Sequence, residues 1–322
     1  MNIEPNFATL WISGAALLFG LILLIAGGEM LISGAAKIAL RLNMSSLLIG
    51  LTVVAFGTSM PELFVSLNAS FSGHSDIMFG NVVGSNIANI GLILAFSALL
   101  SPLTVHYSRL RIELNMVIAA GFIPLILVFW GTFPRPVGIL FVIILVGYTV
   151  LSYRREVKEN NRNVGPAPVR HSVLTRSPVI ALLVLGGLVL MWLGSDYFIM
   201  GAVDLARVFG ISELVIGLTL AAIGTSLPEL AACISAVRRK EGDILVGNIV
   251  GSNLFNLLLV MGVTAGIKPF QIPDQALLRD LPVMLGYSII LVPIAIYVKE
   301  IKRWHGAAFL AGYCIYIYSL SY

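Results

Sequence analysis

The residues that decide the fold read GLTVVAFGTSMPEL at Gly50–Leu63, and nearly the same run, GLTLAAIGTSLPEL, returns at Gly217–Leu230. One constant offset of 167 residues aligns 45–94 with 212–261 without a gap, and 24 of these 50 positions are identical. Self-similarity over so long a stretch predicts that the chain is an internal duplication of one structural unit.

The composition around these runs is typical of a membrane protein. Of the 322 residues, 58% are hydrophobic and 11% are charged, whereas soluble domains carry roughly 25% charged residues. Continuous apolar stretches such as Leu17–Ala26 and Val179–Leu193 exclude a transmembrane barrel, whose strands alternate apolar and polar residues. The net charge of +4 comes from dispersed basic residues, so we expect a lipid bilayer and no nucleic acid as partner.

The predicted fold is an all-α polytopic membrane protein with ten helices, arranged as two inverted five-helix repeats. A first repeat occupies 1–153, a polar cytoplasmic linker 154–177 and a second repeat 178–322. A membrane span needs about 20 apolar residues, and the predicted spans are 8–34, 46–71, 79–100, 113–131, 136–153, 178–203, 213–237, 245–265, 281–298 and 305–321.

An odd number of spans in each repeat turns the second repeat upside down. If both termini lie outside the cell, 16 of the 20 basic residues fall in cytoplasmic segments, as the positive-inside rule requires. The matching helices also end differently, since Phe71–Gly73 in the first repeat corresponds to the basic Arg238–Lys240 in the second. Inverted repeats are the architecture of many secondary transporters, whose binding site lies near the midplane.

Glu62 and Glu229 are carboxylates deep in apolar spans, at equivalent positions of the two repeats. An ionisable side chain at membrane depth is costly, so it indicates function by default. Each follows a proline, Pro61 or Pro228, whose ring clashes with the carbonyl four residues back and breaks the helix. Backbone carbonyls freed in this way need a partner, and a bound cation is one.

Hydroxyl side chains share the helix face of each glutamate. Thr58 and Ser59 precede Glu62 by four and three residues, and the same spacing recurs at Thr225 and Ser226. Oxygen ligands without His or Cys suit hard cations such as Ca²⁺ and Na⁺. The alternative is a kink motif whose glutamates form hydrogen bonds within the bundle, but two inverted copies favour ion binding.

A second motif, G-N-x-V-G-S-N-x-x-N, begins at Gly80 and again at Gly247. Its serine and its last asparagine lie four residues apart and therefore face one way. We expect these side chains to coordinate ions: Ser85, Asn89, Ser252 and Asn256. For the remaining asparagines, ligation and hydrogen bonding between helices stay equally open: Asn81, Asn86, Asn248 and Asn253.

Four further residues receive structural interpretations. Cys233 and Cys314 fall in apolar segments, so we expect small buried side chains and neither a disulfide nor a metal site. Glu29 and Asp196 occupy equivalent positions of the two repeats but lie toward helix ends, where a cap or a salt bridge is expected.

The doubled combination of G-T-S-x-P-E with G-N-x-x-G-S-N-x-x-N resembles the alpha repeats of the cation/calcium exchanger superfamily, in particular the prokaryotic sodium/calcium exchangers. The resemblance covers essentially the whole chain. It implies an antiporter of Ca²⁺ against Na⁺ in the prokaryotic cytoplasmic membrane. We further expect a monomer without a cofactor. The implied ligands are Glu62, Thr58, Ser59, Ser85, Asn89 and the Ala55 carbonyl in the first repeat, with Glu229, Thr225, Ser226, Ser252 and the Ala222 carbonyl in the second.

Several functions remain open at this point. Some members of the superfamily carry Asp where this chain has Asn256, so potassium coupling is not expected. Proton coupling is the nearest alternative to sodium coupling, because a carboxylate in a low-dielectric site can carry H⁺. A cation channel with a carboxylate selectivity site is a different class. An enzyme is not expected, since no spacing of a nucleophile and a base is evident.

Overall fold

The computed structural model describes residues 7–163, 177–208, 224–273 and 276–320. Within these ranges the α-helices are α1 (Phe7–Leu42), α2 (Ser46–Ile49), α3 (Ala55–Thr58), α4 (Met60–Phe71), α5 (Ser75–Ala88), α6 (Ala95–Leu100), α7 (Tyr107–Leu127), α8 (Arg135–Asn163), α9 (Ser177–Val208), α10 (Leu227–Arg238), α11 (Gly242–Phe255), α12 (Gly262–Ile267), α13 (Leu281–Pro293) and α14 (Arg303–Ser319). Wider π-helical segments cover Gly50–Val54, Asn89–Leu94, Asn256–Met261, Ala276–Asp280 and Ile294–Val298, and Val128–Trp130 is a 3₁₀ turn.

Seven helices of the described ranges are long and apolar enough to cross a membrane, and α2 to α4 form an eighth candidate that is bent by 41°. The prediction of a mostly helical, polytopic membrane protein is confirmed at this level. Of the other predicted spans, 213–237 begins outside the described residues, and 305–321 corresponds to α14. That helix has 17 residues and is therefore about 25 Å long. The count of ten spans stays a prediction.

Several helices extend beyond their predicted ends, and α1 and α8 do so by the most residues. α1 was expected to stop at 34 but continues to Leu42, and α8 was expected to stop at 153 but continues to Asn163. Both extensions are rich in Ala, Leu, Lys, Arg and Glu, which favour helix even where no apolar surface is buried. Part of the predicted linker 154–177 is therefore helical, and 164–176 lies outside the described residues.

The long helices α1 and α9 pack against each other through glycines. The glycines recur every seven residues: Gly20, Gly27 and Gly34 on α1, and Gly187, Gly194 and Gly201 on α9. Gly20 lies against Gly194 and Gly27 against Gly187, so the two helices run antiparallel. A Cβ atom added to Gly27 would lie 2.7 Å from the Gly187 carbonyl oxygen, and close backbone approach of this kind needs small residues.

Within the described ranges, four two-residue strands depart from the all-α expectation. β1 (Leu103–Thr104) pairs antiparallel with β4 (Glu300–Ile301), and β2 (Thr132–Phe133) pairs with β3 (Phe270–Gln271). Phe133 and Phe270 stack with their ring centroids 5.2 Å apart. Each pair joins a loop of the first half to a loop of the second half.

The segments that carry the second motif lie at the centre of the bundle. In Gly242–Ile267, 94% of the most apolar window is buried, against 22% in Arg135–Lys158. Large apolar side chains such as Trp11, Leu182 and Trp192 are exposed on the outer helices. An exposed apolar surface of this extent fits contact with lipid, so the motif residues lie inside and the outer helices shield them.

Candidate functional site

Both copies of the G-T-S-x-P-E motif break their helix, as the prolines predict. α3 ends at Thr58 and α4 begins at Met60, with Ser59 between them at φ −82° and ψ 2°. Ser226, which precedes α10, has nearly the same conformation, at φ −91° and ψ 4°. The break places Glu62 in the first turn of α4 and Glu229 in the first turn of α10.

The two glutamates are completely buried and lie near each other. Each has 0% exposure, and Asn81 links their segments, because it donates to the Glu62 carbonyl oxygen at 3.1 Å and accepts from Thr225 Oγ1 at 3.2 Å. Glu62 also lies near Thr225, and Glu229 lies near Thr58. Among the described residues, none of the four carboxylate oxygens has a hydrogen-bond partner. Two buried charges without partners cost several kcal/mol each, so this arrangement calls for a cation or for protons.

Further unpartnered oxygens are buried in the same motif segments. Within the described ranges, four of them belong to predicted ligands and a fifth belongs to Asn86; they are Ser59 Oγ, Ser226 Oγ, Asn89 Oδ1, Asn256 Oδ1 and Asn86 Oδ1. Buried polar atoms in native proteins nearly always have a partner. Carboxylate, hydroxyl and amide oxygens are also the donor types that bind hard cations. This donor set fits Ca²⁺ and Na⁺.

The threonines of the motif donate hydrogen bonds across the two halves in a reciprocal pattern. Thr58 Oγ1 donates to Asn248 Oδ1 at 3.2 Å, and Thr225 Oγ1 donates to Asn81 Oδ1 at 3.2 Å. A hydroxyl that donates its one proton keeps its lone pairs free to accept. The asparagines therefore leave both threonine oxygens available to a cation.

The other motif amides also form contacts between the halves. Asn89 Nδ2 donates to Asn253 Oδ1 at 2.9 Å, and Asn256 Nδ2 donates to Ser85 Oγ at 2.9 Å. Ser252 Oγ lies 3.4 Å from Thr58 Oγ1.

The four asparagines left open by the sequence therefore differ in what they bond. Asn81, Asn248 and Asn253 accept hydrogen bonds from the opposite half. Asn86 Nδ2 instead donates to Val82 O of its own helix. Hydrogen bonding between helices thus accounts for the first three residues and not for Asn86.

Two π-helical segments begin at predicted ligands. One starts at Asn89 and the other at Asn256, the equivalent residue of the second repeat. A π turn inserts an extra residue into the helix and occurs frequently at functional sites. Neither segment was predicted, because the stretches NIGLIL and NLLLVM differ in no obvious way from α-helical apolar runs.

The backbone carbonyls near the breaks only partly follow the prediction. The Ala55 oxygen accepts the Ser59 N–H at 3.0 Å and also accepts the Thr58 hydroxyl at 3.4 Å, as an alternative to Asn248 Oδ1 at 3.2 Å. Ala222 lies outside the described residues. The Gly224 carbonyl, which Pro228 frees, accepts the Ser195 hydroxyl at 2.7 Å. The Gly224 carbonyl oxygen was predicted to bind a cation, but it accepts a hydrogen bond from a protein hydroxyl instead.

Of the four residues given structural interpretations, Glu29 and Cys233 are placed as expected. Glu29 accepts from Arg239 at 2.8 Å and lies 3.5 Å from Arg238, which confirms the predicted salt bridge. Both cysteines are free, and Cys233 is buried as predicted. The prediction for Cys314 was wrong, because this residue is exposed on α14, and apolar side chains on an outer helix face lipid as readily as the core.

A third buried carboxylate escaped the sequence analysis. Glu113 of α7 accepts a hydrogen bond from Tyr148 of α8 at 2.7 Å, and it is 6% exposed. Asp280, 167 residues later, accepts from Tyr316 of α14 at 3.1 Å. Acidic residues at both positions of the repeat were the signal that could have revealed this pair.

Comparison with known proteins supports the resemblance that the motifs indicate. The model of the sodium/calcium exchanger protein family matches residues 12–154 and 179–322. The chain is 39% identical over 289 residues to the inner membrane protein YrbG of Escherichia coli, covering 86% of each chain. It is 34% identical over 349 residues to the sodium/calcium exchanger MaX1 of Methanosarcina acetivorans, covering 95% of this chain and 97% of that one.

The fold is also that of a solved exchanger. The sodium-calcium exchanger NCX_Mj, soaked with Na⁺ and Sr²⁺, matches with a TM-score of 0.80 and 32% identity, covering 97% of this chain and 99% of that chain. The family model, the relatives and the solved structure agree with each other over nearly the full length. The chain belongs to the sodium/calcium exchanger protein family.

Proposed function

We propose that this protein is a secondary active antiporter that exchanges Ca²⁺ for Na⁺ across the membrane by alternating access. The transported ions are bound between the two halves, and the proposed side-chain ligands are Glu62, Thr58, Ser59, Ser85, Asn89, Glu229, Thr225, Ser226, Ser252 and Asn256. The carbonyls of Ala55 and Ala222 complete the proposed set.

One observation carries this proposal. Glu62 and Glu229 are both completely buried, in motif segments that hydrogen-bond to the opposite half, and among the described residues their carboxylate oxygens have no protein partner. Two carboxylates balance the charge of one Ca²⁺, and the neighbouring hydroxyl and amide oxygens replace its hydration shell. Several Na⁺ ions would use the same carboxylates, so Na⁺ and Ca²⁺ compete and each drives the other out.

Two relatives of similar length and fold also support the proposal. NCX_Mj was studied for extracellular ion exchange and for induced occlusion of its binding site. MaX1 carries the name of a sodium/calcium exchanger. Both relatives cover nearly the full length, so the inference from them concerns the whole exchanger rather than one domain.

We propose the same inverted arrangement for the whole chain as the sequence predicts. It has ten spans, a first repeat at 1–153, a linker at 154–177, a second repeat at 178–322 and both termini outside a prokaryotic cytoplasmic membrane. The antiparallel packing of α1 against α9, which are equivalent helices of the two repeats, supports the inversion. The name of the E. coli relative supports the membrane. We propose a monomer, because all the proposed ligands come from one chain.

The decisive experiment measures radiolabelled Ca²⁺ uptake into proteoliposomes under imposed Na⁺, H⁺ or K⁺ gradients. Glu62→Gln and Glu229→Gln should each abolish uptake, because one remaining carboxylate does not balance a dehydrated divalent ion. The matched control is Asp76→Asn, which removes an exposed carboxylate in the first turn of α5 and should leave uptake unchanged.

The choice of gradient separates the remaining alternatives. Uptake driven by a Na⁺ gradient and saturating with Ca²⁺ supports the sodium-coupled antiporter. Uptake driven by a proton gradient alone would show that the coupling ion is H⁺ and not Na⁺. Wild-type uptake by either glutamine variant would remove the proposed site.

A further inference from the structure

The two asparagines that bind the motif threonines are anchored in different ways. Asn81 Nδ2 donates to Ser66 Oγ at 2.9 Å and to the Glu62 carbonyl oxygen at 3.1 Å. Asn248 Nδ2 donates to Cys233 Sγ at 3.6 Å. Ser66 and Cys233 are 167 residues apart in sequence and therefore occupy the same position of the two repeats. The asparagine Nδ2 thus donates to an oxygen in the first repeat and to a sulfur in the second.

The anchored end of each amide determines what its other end offers to threonine. With Nδ2 directed at Cys233, Asn248 presents Oδ1 to the Thr58 hydroxyl. Thr58 then donates its hydroxyl proton to Asn248, and its lone pairs stay free to bind a cation. If the amide rotated by half a turn, its NH₂ group would donate to Thr58 and occupy one of those lone pairs. The acceptor at position 233 therefore controls how well Thr58 can bind a cation.

We propose that Cys233 is a positioning residue of the ion site, which acts through Asn248 on Thr58. It lies one helical turn after Glu229 on α10 and is completely buried against α11. A thiol is a weaker acceptor than a hydroxyl, and within the described residues Asn248 Nδ2 donates to Cys233 alone, whereas Asn81 Nδ2 has the Glu62 carbonyl as a second acceptor. The Asn248 amide is accordingly held less firmly than the Asn81 amide, although both accept from their threonine at 3.2 Å. We therefore expect the two half-sites to differ in affinity even though their proposed ligands match.

This role rests on the proposed function, and it can be tested separately. The measurement is Na⁺-driven uptake of radiolabelled Ca²⁺ as a function of Ca²⁺ concentration, together with the melting temperature of each purified variant. Cys233→Ala removes the acceptor and should raise the half-saturating Ca²⁺ concentration about threefold, the effect of one modest hydrogen bond. The maximal rate and the melting temperature should change little, because the side chain removed is small.

Matched variants distinguish positioning from packing. Cys233→Ser restores an oxygen acceptor, as in the first repeat, and should return the half-saturating concentration to the wild-type value or below it. Ser66→Cys makes the opposite exchange and should raise that concentration, because it weakens the Asn81 anchor. A role in packing alone would lower the melting temperature and the amount of folded protein without moving the half-saturating concentration.

Two results would overturn the role of Cys233. One is normal wild-type exchange together with unchanged half-saturation in Cys233→Ala. The other is equal loss in Cys233→Ala and Cys233→Ser. If Cys233→Ala does not fold, Ser66→Cys decides, and an unchanged half-saturating concentration in that variant rejects the proposal. A wild-type protein that exchanges no Ca²⁺ would instead reject the proposed function, and the positioning role with it.

Discussion

At the scale of single residues, Ser195 accounts for a difference between the two helix breaks. Its hydroxyl satisfies the Gly224 carbonyl at 2.7 Å, whereas the equivalent residue of the first repeat is Gly28. A Cβ atom at Gly28 would lie 2.7 Å from the Ala231 carbonyl oxygen, so a serine does not fit there. The two breaks have the same backbone conformation but are stabilised by different neighbours.

Replacing Ser195 by alanine should destabilise the protein. The Gly224 carbonyl would be left buried without its partner, which costs about 1–2 kcal/mol of unfolding free energy. Thermal unfolding in detergent measures the effect, and Ser72→Ala, at an exposed position, is the control. Equal stability of the two variants would mean that the Gly224 carbonyl finds another partner.

Asn256 leads to a prediction about coupling. With amides at both Asn89 and Asn256, the charge of the proposed site comes from Glu62 and Glu229 alone, and an amide binds no proton near neutral pH. We expect wild-type exchange to need no K⁺. Asn256→Asp adds a carboxylate beside two others, and mutual repulsion favours protonation of the group. Its Ca²⁺ flux should therefore fall more steeply as pH decreases.

The check is Na⁺-driven flux against pH for Asn256→Asp and the wild type, with and without K⁺. A strict K⁺ requirement in the wild type would contradict this interpretation of Asn256. Parallel pH profiles for the two proteins would contradict the expected repulsion between the carboxylates.

At the scale of helices, the glycines between α1 and α9 set how closely the two can approach. Gly27→Ala places a Cβ atom 2.7 Å from the Gly187 carbonyl oxygen, so the helices must separate, at a cost of about 1–3 kcal/mol. Gly14→Ala, on the same helix, meets nothing within 4 Å and should leave stability equal or slightly raised, since alanine favours helix. Melting temperatures of both variants test this, and similar values would show that the contact tolerates separation.

Sequence patterns predicted some helical features and not others, for physical reasons. The break at Ser59 was predictable because Pro61 removes a backbone donor locally. The π-helical segments at Asn89 and Asn256 were not, because they depend on how neighbouring helices pack around an ordinary apolar run. The extension of α1 to Leu42 was missed because hydropathy reports the apolar length of a helix and not where its hydrogen bonding ends.

The same division applies to the candidate site. Repeated motifs identified Glu62 and its neighbours, since a carboxylate in an apolar span is visible in the sequence. The partners that orient these groups, such as Ser195 and Cys233, lie on other helices or look like ordinary core residues. Only the packing reveals them. Glu113, by contrast, could have been found from the acidic residue at the equivalent position of the second repeat, Asp280.

At the scale of the whole molecule, the inverted arrangement predicts opposite accessibility for equivalent helix ends. Ser72→Cys, at the exposed end of α4, should react with an impermeant thiol reagent added outside intact cells. Lys240→Cys, at the exposed end of α10, should react only after the membrane is opened. The background is Cys233→Ser with Cys314→Ser, which removes the two native thiols. Labelling of both cysteines from one side would contradict the inversion.

The two short strand pairs have a consequence for assembly. Each pair takes one strand from either half, and the threonine–asparagine contacts cross between the halves in the same way. Each half therefore needs the other to complete these hydrogen bonds. The two halves behave like the subunits of an obligate complex, although they belong to one polypeptide. A gene split between codons 163 and 177 should therefore yield two fragments that reconstitute Ca²⁺ transport when co-expressed, whereas either fragment alone should be degraded.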